Sequence, residues 1–136
     1  MKKLLLFILI IPLFFSCDNQ KELYSEVMVI HDTAMAKMDK IITLKSALKE
    51  KAQAMSQDTT NTNIEEVKKI NDLILNLDAA DESMMNWMRE FHQDYESHAK
   101  EEIMDYLENQ KDRITKVGEE MNQAIEAANA YLQNSD

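Results

Sequence analysis

The 136-residue chain holds one cysteine, one proline, one glycine and one tryptophan. Pro12 and Cys17 lie near the N-terminus, so Gly118 is the only glycine or proline after residue 17. A lone cysteine cannot close an internal disulfide, and no Cys-x-x-Cys-His run is present to attach haem. One glycine leaves no loop to cradle phosphate. The Glu-x-x-His pair used by di-iron bundles is missing. The acidic stretches Asp58-Thr59-Thr60 and Asp78 to Glu82 lack calcium-loop spacing. Basic residues are also scarce: 15 Lys and Arg stand against 25 Asp and Glu, a formal charge of −10. That balance argues against nucleic acid as a partner, because phosphate backbones select basic patches. It also disfavours adhesion to anionic headgroups. With no catalytic constellation left, the expectation is a protein that is not an enzyme.

What is present begins with an export signal. Lys2 and Lys3 precede a run from Leu4 to Phe15 that is apolar throughout, with Pro12 inside it. Twelve residues span roughly 18 Å as a helix, short of the ~30 Å core of a bilayer. A basic start, a short apolar run and the small residue Ser16 read as a cleavable signal over residues 1–16. Leu13-Phe14-Phe15-Ser16-Cys17 resembles a lipobox, with Phe14 where the strict pattern prefers Leu. Looser boxes ending in Ser-Cys are common in Bacteroidetes lipoproteins. That resemblance implies lipidation of Cys17 and accounts for the unpaired thiol. The alternative is an ordinary signal peptide followed by a stray cysteine. Residues 17–22, the lipidated Cys and a polar tether, contain Gln20-Lys21-Glu22, similar to the run that sends such lipoproteins to the cell surface. The expected address is the outer membrane, on its periplasmic face or at the cell surface, anchored through the N-terminal lipid.

Residues 23–136 are one domain's worth of chain. Removal of Lys2 and Lys3 with the signal takes the charge from −10 to −12. Ala, Leu, Met, Glu, Lys and Gln dominate, which favours long helices. The polar stretch Ser56 to Asn63 reads as a loop, with Thr62 or Asn63 capping the next helix. A weaker break lies at Gln93 to Ser97, with Ser97 as cap and Glu101 and Glu102 in the next first turn. Three periodic segments remain. Helix A, about residues 20–55, carries Val27, His31, Ala34, Met38, Ile41, Leu48, Ala52 and Met55, flanked by Met35 and Ile42. Helix B, about 63–94, carries Val67, Ile70, Ile74, Leu77, Met84, Met85, Met88 and His92, flanked by Leu73, Trp87 and Phe91. Helix C, about 98–133, carries Ile103, Leu107, Ile114, Val117, Met121, Ile125, Ala128 and Leu132. The expected fold is an all-α, antiparallel three-helix up-down-up bundle, coiled-coil-like in its packing. The alternative is a long hairpin that dimerises. Lys45, centred on the stripe of helix A, fits neither unless its stem snorkels.

Folding A back on B places His31 opposite Met88, Ala34 opposite Met85, Met35 opposite Met84, Met38 opposite Asp81 and Val27 opposite His92. The candidate metal residues are therefore His31, Met35, Met38, Met84, Met85, Met88 and His92. Thioether and imidazole together suit Cu(I), so copper is the candidate cofactor. The i, i+3 and i, i+4 spacings put each pair on one face. Two bland readings stand beside this one. Methionine commonly fills irregular helix cores, and a His31–Asp81 pair would satisfy both polar groups. A groove for an envelope protein partner is the other.

His31-Asp32-Thr33-Ala34-Met35-Ala36-Lys37-Met38 and the run from Leu77 to Phe91, Asp78 through Glu90 included, resemble small Bacteroidetes lipoproteins labelled "viral A-type inclusion protein". Tyr106 to Lys111 fits the same group. The helix-breaking proline usual there after the Trp-Met segment is absent. The resemblance implies an envelope address and a helical architecture, and no activity.

Overall fold

Without glycine or proline to interrupt them, the periodic segments are helical over most of the residues that the computed structural model describes, which are 18–57, 64–95 and 97–134; residues 36–37, 91–95 and 97–99 lie between helices. The signal peptide, Cys17, the cap candidates Thr62 and Asn63 and most of the Ser56 to Asn63 loop lie outside the described residues. The chain forms four α-helices: α1 (Asp18–Met35), α2 (Met38–Gln57), α3 (Ile64–Glu90) and α4 (Lys100–Asn134). No strand occurs among the described residues. None of these helices is long and apolar enough to cross a membrane.

Helix A, expected as one piece, is divided at Ala36 and Lys37. The ladder tightens there. The Ala36 amide still bonds the Asp32 carbonyl at 3.0 Å, but the Lys37 amide takes the Ala34 carbonyl at 2.9 Å, a three-residue step. Just upstream, the Thr33 hydroxyl donates back to the Val29 carbonyl at 2.7 Å, a bond that bends helices. The buried face continues across the break, since Val27, Ala34, Ile41 and Leu48 recur every seven residues. The break marks a change of neighbour: α1 packs chiefly on α4, and α2 chiefly on α3.

Helix α4 touches each of the other three. Its buried residues, Ile103, Leu107, Gln110, Ile114, Val117, Met121, Ala124, Ala128 and Tyr131, alternate steps of four and three. That is the repeat of a coiled-coil seam. A third helix packed onto the first two is what the bundle expectation requires and the hairpin alternative does not supply. Ala124 and Tyr131 are buried where Ile125 and Leu132 were expected at the centre, and these two are half-buried at its edge. On α3 the face likewise runs through Ala80, Met84 and Trp87 rather than Met85 and Met88. Ile42, expected to flank the core, is 59% exposed.

Lys45 finds its place through charge. Its ammonium pairs with Asp78 and lies 3.9 Å from Asp81, while its stem stays largely covered. Between α1 and α4, the Lys111 ammonium donates to Glu26 at 2.6 Å and Lys37 donates to the Asn122 side chain at 2.7 Å. The bond to Glu26, reinforced by its charge, holds Lys111 above the ordinary lysine range.

Gly118 sits in the middle of α4 with an ordinary φ, and an added Cβ would meet nothing within 4 Å. Glycine there carries the entropic cost of fixing a flexible residue in a helix, with no internal contact to offset it. Gly118→Ala should therefore stabilise the fold by about 0.5–1 kcal/mol, read as a higher midpoint in denaturant unfolding followed by far-UV circular dichroism. An unchanged or lowered midpoint would show that Gly118 makes room for something.

Candidate functional site

The residues with the most chemistry gather where α3 ends and α4 begins, together with the first turns of α1. Helix α3 closes with the Phe91 amide bonding the Trp87 carbonyl at 2.9 Å, four residues before the expected end. A turn comes next, in which the His98 amide bonds the Tyr95 carbonyl at 3.1 Å. Helix α4 starts at Lys100, so Ala99 rather than Ser97 holds the cap position. The Glu102 carboxylate accepts the Ala99 amide at 3.1 Å, which is the glutamate half of a capping box. Glu101 and Glu102 in this first turn also oppose the positive end of the helix dipole.

A train of rings ties the three stretches of chain together here. Tyr24 of α1 lies 6.3 Å from Phe91, Phe91 stacks on Trp87 at 4.7 Å, and Phe91 meets Tyr106 of α4 at 6.2 Å. Tyr106 in turn contacts His92 at 4.7 Å and Tyr95 at 6.1 Å. His31 joins from α1, 5.5 Å from Trp87. Close backbone approaches between α1 and α3 are few. Large rings span the distance that smaller aliphatic side chains would leave open.

Hydrogen bonds orient several of these groups. The His92 amide donates to the Tyr106 hydroxyl at 2.9 Å. His92 Nδ1 lies 3.1 Å from the Glu90 carbonyl and 3.4 Å from the Tyr106 hydroxyl; a proton on Nδ1 suits the first contact, and an unprotonated Nδ1 suits donation from the second. The Gln93 side-chain amide donates to the Tyr24 hydroxyl at 2.8 Å. Three buried polar atoms, Trp87 Nε1, the Tyr95 hydroxyl and Gln110 Oε1, have no hydrogen-bond partner. Each such group costs about 1–3 kcal/mol, so this end of the bundle is not optimised for stability alone.

A partly open cavity of about 60 Å³ lies in the connection, lined by His92, Asp94, Tyr95, His98, Glu102 and Tyr106. Ile103 closes its base as the first buried residue of α4. Burial, then the neighbouring phenols of Tyr106 and Tyr24, raise the pKa of Tyr95 above the ordinary 10.0.

The residues expected to form a metal site are only partly brought together. Met84 is fully buried, and Met35, Met38 and Met88 pack half-buried against the same apolar cluster. Met85 is 42% exposed. His92 stands against Tyr106. His31 packs on Trp87, the neighbour in sequence of its expected partner Met88, and its Nδ1 bonds the adjacent Asp32 at 2.9 Å. The His31–Asp81 pair of the alternative reading does not form: His31 pairs with Asp32, and Asp81 lies 3.9 Å from the Lys45 ammonium. Among the described residues, no three His, Cys, Asp or Glu side chains converge to hold a metal. Tyr24, Tyr95, Tyr106 and His98 were not anticipated. Their signal was segregation: five of the six aromatic residues after Cys17, and all three histidines, fall within 24–31 and 87–106.

The raised pKa of Tyr95 carries a stability consequence. In the unfolded chain its phenol ionises first as pH rises through about 10, while the folded chain keeps its proton longer. Folding stability should therefore be intact below that pH and fall above it, until the folded group also ionises. A spectrophotometric phenolate titration should show one late tyrosine, absent in Tyr95→Phe. A wild-type titration superimposable on the variant's, apart from amplitude, would contradict this.

No family model, curated protein or solved structure matches this chain.

Proposed function

We propose that this chain is an exported lipoprotein of the bacterial envelope, related to the Bacteroidetes group it resembles, whose bundle serves an interaction or structural role and not catalysis. The observation that carries this reading is the lone Cys17, set directly after a short apolar run and directly before the first helix at Asp18. On this reading residues 1–16 are removed and lipid on Cys17 holds the chain at the outer membrane. An antiparallel up-down-up course of the bundle belongs to the proposal. The order of contacts supports it: Tyr24 with Gln93, His31 with Trp87 and Lys45 with Asp78 run in opposite directions along α1–α2 and α3. Glu26 with Lys111 and Lys37 with Asn122 run in the same direction along α1–α2 and α4. Such a body, apolar inside and strongly acidic outside, is suited to hold its shape while avoiding nonspecific adhesion.

The test is metabolic labelling with an alkyne fatty acid in a Bacteroidetes host. The full-length chain should take up label and partition into detergent, and Cys17→Ala should lose both. Label retained by Cys17→Ala would overturn lipidation at that residue.

A second reading, a Cu(I)-binding lipoprotein, is favoured by one feature: Met35, Met38, Met84 and Met88 share one apolar cluster, and His31 contacts Trp87 beside it. Trp87 is the single tryptophan, so copper bound there would quench its emission. On the leading reading, Cu(I) added to the reduced full-length chain against a competing chelator leaves that emission unchanged. Stoichiometric quenching lost in the His31→Ala, Met88→Ala double variant would instead establish copper binding.

A further inference from the structure

Between α1 and α4 runs a groove that neither anchorage nor copper uses. Two open cavities, of about 320 and 430 Å³, share Val29 and Ile30 and so form one continuous channel along the pair of helices. Val29, where they join, is 61% exposed. Gly118 lines the same channel from α4, and a Cβ built there meets nothing within 4 Å. We infer that this groove is the docking site for a second copy of this chain, the two copies related by a twofold axis along the helices, so that α1 of each lies against α4 of the other.

The register of charge singles out that occupant. The bonds from Lys111 to Glu26 and from Lys37 to Asn122 both join residues 85 apart, so α1 and α4 keep step over about 16 Å of rise. A twofold axis along the helices preserves level. Glu26 of one copy therefore meets Lys111 of the other, and Lys37 meets Asn122 with Glu119 one turn away. Val29, level with residue 114, falls beside Thr115 and Gly118 of the second copy, where the missing side chain leaves space for it. An antiparallel pairing about the centre of the groove would set Glu26 level with Gly118 and forfeit the match. The face is thus complementary to itself, as a twofold contact requires. A net charge of −10 makes the rest of the body repel its copies. In the groove Glu26 and Glu119 are balanced by Lys37 and Lys111, leaving Glu22 at one end. From Glu22 to Lys37 the face is about 22 Å long and two helices wide, on the order of 400 Å² per copy, the range of weak and transient contacts. The dilute chain is then monomeric, the state that Gly118→Ala stabilises. Anchorage at Cys17, which this inference takes from the proposed function, concentrates chains held the same way up.

To test this, two differently tagged full-length chains are produced together in a Bacteroidetes host, one with Val29→Cys and the other with Thr115→Cys, and the envelope is treated with a short bismaleimide. A product carrying both tags is expected. Ile42→Cys, similarly exposed at 59% but outside the groove, should give little with Thr115→Cys. Gly118→Leu added to both chains should lower the mixed-tag product about tenfold, the worth of one buried apolar side chain. Its Cβ enters open space within the chain, so the fold is kept, which circular dichroism checks. Wild-type chains report on Cys17 alone: product from them marks a free thiol there and counts against lipidation, while the difference between the cysteine pairs still decides the docking. No mixed-tag product, as when another protein fills the groove, an equal yield from Ile42→Cys, or a yield that Gly118→Leu leaves intact would overturn the inference.

Discussion

The alternating seam of α4 is the constraint on which the rest of the bundle depends. From Ile103 to Tyr131 its buried positions step by four and three without interruption. A helix of 3.6 residues per turn cannot hold a 3.5-residue repeat on a straight line, so the seam winds gently around the helix. Its partners must wind with it. Helix α4 meets α1 and α3 side by side, as Lys111 with Glu26 and Arg113 with Glu90 show within one turn, and it also reaches α2. The division of the first arm at Ala36 and Lys37 costs little, because the seven-residue spacing from Val27 to Leu48 survives it.

What the seam does not fix is the width of the bundle at each end. Where Ala80, Ala124 and Ala128 are buried, small side chains fill the core. Toward the α3–α4 connection, Tyr24, Trp87, Phe91 and Tyr106 fill it. Rings fill space efficiently but bring polar edges with them. Trp87 Nε1 and the Tyr95 hydroxyl are the consequence, together with the Gln110 amide oxygen on the seam itself. Ordinary aliphatic packing would have avoided these costs, so the aromatic end is where stability and some other requirement diverge.

The fold was legible because burial in a helical bundle is written directly as periodicity. Helical class, three arms and most of the seam emerged from apolar spacing alone. The errors share one cause. Choosing between neighbours such as Ala124 and Ile125, Trp87 and Met88, or Tyr131 and Leu132 requires the winding of the seam, and hydrophobicity ranks the members of each pair the wrong way or not at all. The break at Ala36 and Lys37 had no proline or glycine to announce it. The early end of α3 at Glu90 had none either. The candidate site was less legible still. His31 and the methionines were conspicuous on their stripes, yet pairing depends on competitors elsewhere: Asp81 was available to His31 on paper and lies beside Lys45 in the fold. Tyr95 and His98 lie in a nonhelical connection, where no period marks a residue as facing inward.

Position along the chain gives the aromatic end its significance. Tyr24 comes six residues after the start of α1 at Asp18, under two turns of helix and roughly 9 Å of rise. The ring-lined end is thus the end at which the chain emerges from residue 17. If Cys17 carries the lipid, the polar cavity at the α3–α4 connection lies close to the membrane surface and the α2–α3 end projects away from it. An acidic body anchored in that orientation concentrates cations from the medium near its membrane-facing end. On that proposal, the same chain direction sets the ring-lined end, with Tyr24, Phe91, His92 and Tyr106, toward the anchor, because Tyr24 at the start of α1 and Phe91 after α3 lie side by side.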